Sequence, residues 1–410
     1  MDSFFKVKTP EEVFRIMDQF SPVGEETILF EKALARVLSE DIVASEDLPG
    51  FSRSAMDGYA VRAKDTFGAS ESLPAFFEVI GEVAMGKICK RSVGEGQAVK
   101  ISTGGMLPEG ADGVVMVEYC HPLDETTLEV TRAVSPLENI IQATDDYRKG
   151  EKVLNKGQVL RPQDLGVMAG LGRLEACVYR RPKVAIISTG DEIVPANERT
   201  RAGQVRDMNR YTLTAFCQRA GAKCIHTGLC PDDFGLLKAM VVESLEKADT
   251  VWISGGSSVG TRDLTLKVLE ALPDFELLVH GISISPGKPT IIGKSGTKPI
   301  IGLPGQVASA LVVAEVVLTR LLSKLSGKKN AFGGFQSGVE AELSRNIESA
   351  AGREDYIRVK LMSGKNSLIA EPVFGKSGLI STLAVADGLI QIAMNTEGLY
   401  RGQKVHVRLL

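Results

Sequence analysis

The sequence predicts an α/β protein of several domains, built around a doubly wound, mostly parallel sheet. Three observations carry that expectation. Between about Pro182 and Gly327, short apolar β-branched runs alternate with helix-length stretches, as in parallel strands joined by crossover helices. On either side, residues Phe51 to about Asp146 and Gly327 to Leu410 lack helical periodicity and carry short β-like runs punctuated by glycine. The later of these flanks fits a small β-barrel or sandwich. The length of 410 residues, at roughly 150 per domain, points to two to four domains.

The elements follow from local pattern. Thr9 to Phe20 and Glu25 to Leu38 have helical spacing. Val114 to Glu118 and Leu128 to Thr131 read as strands of the β-rich flank. Lys183 to Thr189 is a continuous apolar, β-branched run that ends in Gly190-Asp191-Glu192, the signature of a strand buried on both faces. A helix is expected from Asn209 to Ala220, stopped by Gly221. Lys223 to Leu229 follows as a strand. Pro231-Asp232-Asp233 then opens a helix to about Lys247, with acids in its first turn where the dipole favours them. Thr250 to Ser254 is a third strand, running into a glycine-rich loop and a helix from about Asp263 to Ala271. Thr290 to Gly293 and Pro299 to Leu303 are two more apolar runs, leading into a long helix from Gln306 to about Leu325. Tyr356 to Leu361 and Lys404 to Leu410 read as strands of the C-terminal flank.

Composition excludes several classes. Charged residues make up 24% and hydrophobic ones 44%, which disfavours disorder. A net charge of -3 gives no positive field for nucleic acid, so no nucleic-acid partner is expected. The start MDSFFKVKTP lacks the apolar core of a secretory signal, and the longest apolar run, within Val307 to Leu318, is interrupted by Glu315 and too short to span a bilayer. No membrane association is expected. The six cysteines (Cys89, Cys120, Cys177, Cys217, Cys224, Cys230) form no C-x-x-C pair and read as reduced thiols, and the four histidines are scattered, so a histidine zinc site is not expected. These features predict a cytoplasmic protein. Glycine is the outlier at 42 of 410, about 10% against a usual ~7%.

Part of that glycine sits in loops at expected strand ends: Ser188-Thr-Gly-Asp-Glu192, Ser254-Gly-Gly-Ser-Ser-Val-Gly260 and Gly302-Leu-Pro-Gly305. Ligands of an open parallel sheet bind beyond the carboxyl ends of its strands. Backbone N–H groups there, with helix N-termini, suit phosphates and other oxyanions. Ser285-Pro-Gly-Lys-Pro289 adds a lysine on a constrained loop. Asp191, Glu192, Asp232, Asp233 and Asp263 lie beside these loops. Carboxylates around a phosphate cradle call for a divalent cation, and magnesium is the natural choice. Asp232 and Asp233 read equally as helix-start acids, and Asp263 as a helix cap. Two further polar strings stand earlier in the chain, Ser52-Arg-Ser-Ala-Met-Asp-Gly-Tyr-Ala60 and Ile101-Ser-Thr-Gly-Gly-Met-Leu-Pro-Glu-Gly-Ala-Asp112.

Taken together, in order and spacing, these strings resemble the molybdopterin molybdenumtransferase family, called MoeA in bacteria and the gephyrin E-domain in animals, over essentially the whole chain. The resemblance implies four parts: a doubly wound pterin-binding domain similar to MogA (6–26 and 178–326), an elongated linking and dimerisation domain (27–45 and 147–177), a β-rich cleft domain (46–146) and a C-terminal β-barrel (327–410). It implies a homodimer, with molybdopterin adenylyltransferase as substrate donor. The implied reaction is Mg2+-dependent insertion of molybdate into adenylylated molybdopterin with release of AMP. It assigns Asp57, Thr103, Asp146, Glu192, Asp232, Asp263 and Lys288 to catalysis. Glu192, Asp232 and Asp263 would hold the metal. Ser188, Thr189, Gly190, Asp191, Gly255, Gly256, Ser257, Gly287, Pro304 and Gly305 would bind the ligand. Asp145 and Asp146 fall where the family carries an acidic pair, after Asn139-Ile140.

The chain departs from the family pattern in its cations. Ile141 stands where the family has Arg, Ser285 and Leu266 where it has Lys, and Gln306-Val307 where it has Asn-Pro. Arg53, Arg262 and Lys267 are candidate substitutes. A tungstate-preferring variant and a pterin-binding scaffold without turnover are the alternative functions.

Overall fold

The computed structural model describes residues 7–255, 259–329 and 338–410, and at 226 and 259–263 only the backbone. The chain folds into two compact units. One gathers Met1–Glu40, Lys156–Arg161 and Glu175–Leu410, and the other Asp41–Asn155 and Pro162–Leu174. Among the described residues no helix is long and apolar enough to cross a membrane.

The first unit holds the expected doubly wound sheet. Its six strands lie in the order Lys223–Cys230, Lys183–Thr189, Thr250–Ser254, Lys298–Leu303, Ile291–Ser295, Phe275–His280. The first four run parallel, Ile291–Ser295 runs antiparallel to both its neighbours, and Phe275–His280 points the same way as the first four. Alternation along Lys183–Thr189 explains why this strand is apolar throughout. Val184 and Ile186 join Trp252, Leu213 and Phe216 on one face, while Ala185 and Ile187 join Leu237 and Val241 on the other. Helix Asn209–Arg219 covers the first face and helix Phe234–Lys247 the second. Asp233 is the cap of the latter helix: its side chain accepts from the Leu236 N–H at 2.8 Å. Helix Val259–Glu270 starts four residues before the expected Asp263. The expected long helix after Gln306 runs as Val307–Val313, a π-turn Ala314–Leu318, and Thr319–Leu325.

One expectation is overturned. Glu25 to Leu38 is not a helix. Glu25–Leu29 is a strand paired antiparallel with Glu175–Tyr179, followed by a short 3-10 turn, Phe30–Lys32. Strong helix formers there yield to a partner strand far along the chain. Helix Pro10–Met17 does form, with Thr9 and Glu12 closing a capping box.

The C-terminal part of this unit is a closed barrel. Glu354–Ser363, Leu368–Pro372, Gly338–Leu343, Lys404–Leu409 and Gly388–Ile392 pair in that order, and the last returns to the first. Closure leaves no open edge among these strands. A two-residue strand, Ile284–Ser285, attaches in parallel to Glu354 and Asp355. The glycine-bearing loop that follows Ser285 is thereby fastened to the barrel.

The second unit is β-rich, as expected. Its sheet runs Gly113–Met116, Gly58–Val61, Gln97–Ile101, Ala75–Glu82, Thr127–Val130, Cys120–Pro122. Two small apolar clusters, one around Phe77 and Leu128 and one around Val99 and Ile101, form its core.

Candidate functional site

In the first unit the parallel register places the glycine-bearing loops at one edge. Ser188 stands opposite Ser254, Ser254 opposite Leu303, and Thr189 opposite Cys230. The two last residues of Lys183–Thr189 point to opposite faces, and of the two only the Thr189 side chain is hydrogen-bonded among the described residues. Thr189 donates from Oγ1 to Asp232 Oδ1 at 2.8 Å, and the Asp232 N–H donates to Asp191 Oδ1 at 3.1 Å. Three of the predicted residues are thus joined. Gly190 has φ +153°, and a Cβ there would lie 2.7 Å from Glu192 Oε2. The Glu192 carboxylate is therefore folded back over its own turn. Gly255 sits where a Cβ would come within 3.1 Å of Thr189 Cγ2. Gly256 and Ser257 lie outside the described residues, as do the side chains of Asp263 and Arg262.

On the other face a residue not foreseen from the sequence takes the central place. Asn209, at the start of its helix, donates from Nδ2 to Ser254 Oγ at 2.6 Å and to the Gly305 carbonyl at 2.7 Å. It ties the Ser254 and Pro304-Gly305 loops together. Asp207, two residues earlier, accepts from the Arg210 N–H at 3.1 Å. Asn209 Oδ1, Asp207 Oδ2 and Ser188 Oγ are all buried without a partner among the described residues. Buried polar atoms left so are uncommon and mark a place where a ligand or water is needed. The signal for this cluster in the sequence was the Asp-x-Asn string, which resembles an ordinary helix start. Burial first, then the Asp233 and Asp232 charges, push the Cys230 thiol up, which works against its thiolate form.

Lys288 lies on the loop fastened to the barrel. It lines a cavity of about 560 Å³ together with Ser283, Ser285, Ser309, Ser377 and Arg353. Gly287, at φ +121°, is tightly enclosed: a Cβ would come within 2.6 Å of Val313 Cγ2 and 2.9 Å of Ile284 Cδ1. Lys288 makes no ion pair among the described residues. Ser285, where the resemblance predicts a lysine, and Arg353, a cation not foreseen from the sequence, line the same cavity. Of the foreseen substitutes, Lys267 is exposed on its helix.

In the second unit Asp57 and Thr103, 46 positions apart, meet. Asp57 Oδ1 accepts from the Thr103 N–H at 2.7 Å and from its Oγ1 at 3.0 Å. The backbone donor, then the hydroxyl, hold the Asp57 carboxyl below its usual range. Gly58 follows where a Cβ would strike the Val115 carbonyl oxygen at 1.9 Å, so strands Gly58–Val61 and Gly113–Met116 approach closely only with glycine there. Asp145 caps its own turn, accepting from the Gln142 N–H at 2.8 Å. The Asp146 carboxylate makes no hydrogen bond or ion pair among the described residues. Arg53 Nε is buried without a partner among them.

Comparison with known proteins decides the family. Residues 8–172 match the MoeA N-terminal region (domain I and II), 185–324 a domain described as a probable molybdopterin binding domain, and 340–410 the MoeA C-terminal region (domain IV). The chain belongs to the MoeA family. A Staphylococcus aureus protein named molybdopterin molybdenumtransferase is 30% identical over 98% of this chain and 95% of its own length. One of the same name from Haemophilus influenzae is 35% identical over 82% of this chain and 81% of its own. A crystal structure of the molybdopterin biosynthesis MoeA protein of Pyrococcus horikoshii has a TM-score of 0.85 at 31% identity, covering 99% of this chain and 100% of that one. A second, 36% identical, has a TM-score of 0.82. The MoeA architecture accounts for the doubly wound sheet, the β-rich unit and the closed barrel found here.

Proposed function

We propose that this chain is a molybdopterin molybdenumtransferase that places molybdate on adenylylated molybdopterin and releases AMP. The observation that carries the reading is the cavity holding Lys288 and Arg353 among four serine hydroxyls. Two cations and several hydroxyl donors in one recess suit a tetrahedral dianion. The unpartnered acceptors of the Asn209 cluster would take N–H donors of the pterin ring, and the loops at Ser188–Glu192, Ser254–Gly255 and Pro304–Gly305 would seat its phosphates.

The donor set beside Thr189 fits magnesium. Mg2+ asks for one or two carboxylates, with phosphate oxygens and waters completing its octahedron. Asp232 offers Oδ2, since Oδ1 is occupied by Thr189, and Glu192 is exposed at the same strand end. Asp263 would join them. The ion would neutralise charge on the phosphoanhydride as AMP leaves. The protein's own residues then do three things. Lys288 and Arg353 hold the oxyanion, Thr189 fixes the Asp232 carboxylate, and Asn209 keeps the loops at the strand ends in register. No covalent nucleophile is required. Asp57 and Thr103, flanked by the exposed apolar Phe51 and Met56, would complete the site across a homodimer. Molybdopterin adenylyltransferase would supply the substrate, in the cytoplasm.

The test is AMP release from adenylylated molybdopterin with molybdate, with tungstate and with neither, each with and without magnesium. Release that needs both molybdate and magnesium is expected. Binding without release under all conditions would overturn the reading and leave a scaffold; preference for tungstate would change the metal.

A further inference from the structure

The cavity at Lys288 has one wall built by the turn 350–352, between Ser349 and Arg353. Gly352, at φ +85°, reverses the chain there. Strand Glu354–Ser363 begins directly after it. Along that strand Asp355 shares a face with Ile357 and Val359, which belong to or pack on the barrel core. Asp355 is 4% exposed. A carboxylate at the end of an apolar core must be satisfied. Its two oxygens divide the task. Oδ1 forms an ion pair with Arg353 Nε at 3.1 Å, and Oδ2 accepts from Ser349 Oγ at 2.6 Å. One side chain thus clamps both ends of the turn. The Asp355 backbone is in register with Ser285, on the strand that leads to Lys288.

Arg353 is 45% exposed at its side chain, so it would otherwise move among many rotamers. Holding it by Nε leaves both Nη groups without a protein partner among the described residues. Those groups form the planar fork that binds oxyanions in two-point fashion.

We propose that Asp355 is a positioning residue: it aims the Arg353 guanidinium into the cavity and holds the turn that walls it, so that oxyanion affinity depends on a carboxylate that does not touch the anion. The proposal rests on the reading of this cavity as the oxyanion site. It also explains how a chain with serine in place of a family lysine at 285 retains a second cation in that recess.

The test uses the full chain and molybdate alone, with affinity measured by titration calorimetry and folding by thermal unfolding. Arg353→Gln should weaken molybdate binding about 10- to 100-fold, the range of a lost charge-assisted pair. Asp355→Asn keeps the shape but loses the charge, and should weaken it about fivefold or more. Ser349→Ala, which removes one clamp and leaves the barrel acid in place, should weaken it about two- to threefold and covers the case in which Asp355→Asn folds poorly. In an Arg353→Gln background, Asp355→Asn should have less than a twofold further effect. A merely structural role would lower the unfolding temperature without this coupling. Wild-type affinity in both Asp355→Asn and Ser349→Ala, with Arg353→Gln impaired, would overturn the positioning role and leave the site reading intact. Multiplicative effects in the double variant would do the same. If Arg353→Gln and Lys288→Gln both bind as the wild type does, the site reading itself fails.

Discussion

Glu315 offers a sharp test of how the doubly wound sheet and the barrel are joined. It is 2% exposed, within the π-turn Ala314–Leu318, and its carboxylate meets two arginines. Arg219, on helix Asn209–Arg219, pairs with Oε1, and Arg408, on barrel strand Lys404–Leu409, lies with Nη2 3.1 Å from Oε2. The two partners are unequal. The Arg219 side chain is 52% exposed, so water screens its share to a fraction of a kcal/mol. The Arg408 side chain is 8% exposed, and burial works against its charge while Glu315 supports it. Glu315→Gln keeps the volume and strips that support. Breaking a buried pair from one side costs about 3–5 kcal/mol; with Thr319 Oγ1 still accepting from Arg408 at 3.3 Å, the lower end, about 3 kcal/mol, is expected. The assay is built into the sequence. Trp252 is the single tryptophan, fully buried, and packs in the same cluster as Val316, Val317 and Leu318. Its fluorescence in a urea titration reports this part of the fold. With m of roughly 3 kcal/mol/M, the midpoint should fall by about 1 M. Glu315→Leu combined with Arg408→Met replaces the pair by apolar groups and should recover most of the loss. A midpoint shift under about 0.3 M for Glu315→Gln, or a double variant as weak as the single one, would refute the argument that loss of the Glu315 charge beside buried Arg408 sets the cost.

Three further outcomes are expected. Gly287→Ala must fit a Cβ 2.6 Å from Val313 Cγ2 at φ +121°, so it should lose about 1–3 kcal/mol and weaken molybdate binding, read by thermal unfolding and calorimetry. Asp18 is held low in pKa first by its hydrogen bonds from Arg320, with burial opposing. A carboxyl lowered on folding adds stability above its unfolded value near 3.9 and loses it as pH falls through the lower folded value. Asp18→Asn should therefore cost up to about 1 kcal/mol at pH 7 and nothing at the most acid pH where the fold survives, as urea midpoints across pH would show. Thr103→Val removes the hydroxyl half of the Asp57 clamp and keeps the N–H, so the Asp57 carboxyl should titrate higher than in the wild type, measured by carboxyl-carbon NMR; an unchanged value would mean the hydroxyl contributes nothing.

The doubly wound sheet was legible because its central strands are buried on both faces. Lys183–Thr189 and Thr250–Ser254 are continuous β-branched runs, and the glycine and acidic residues after them mark the strand ends. The strand Glu25–Leu29 was not, because Glu-Glu-Thr-Ile-Leu runs on into good helix formers, and only Glu175–Tyr179, 150 positions away at the Thr27–Cys177 pair, makes it a strand. Within the site, Thr189, Asp191 and Asp232 came together as their strand-end positions imply. Asn209, Arg353 and Asp355 carried no local mark: each sits in a string that reads as an ordinary helix start or solvated charge. Glu315 did stand out as an acid in an apolar run, yet its partners are 96 and 93 positions away. Register and closure create such meetings, and no window of a few residues encodes them.

The two-residue strand Ile284–Ser285 is small, but it makes the barrel a working part of the oxyanion recess. Lys288 follows one end of this splice and Arg353 precedes the other, so the pairing of Ile284–Ser285 with Glu354–Asp355 ties the two stretches of chain together. A barrel removed at Gly327 would take Arg353 with it and strip the loop that carries Lys288 of its pairing with Glu354 and Asp355, leaving it held by the Ile282 N–H on the Lys288 carbonyl. The part that matches a probable molybdopterin binding domain would then keep its sheet, its helices, its tryptophan and Lys288, while losing Arg353, one of the two positive charges of the pocket, at a single cut.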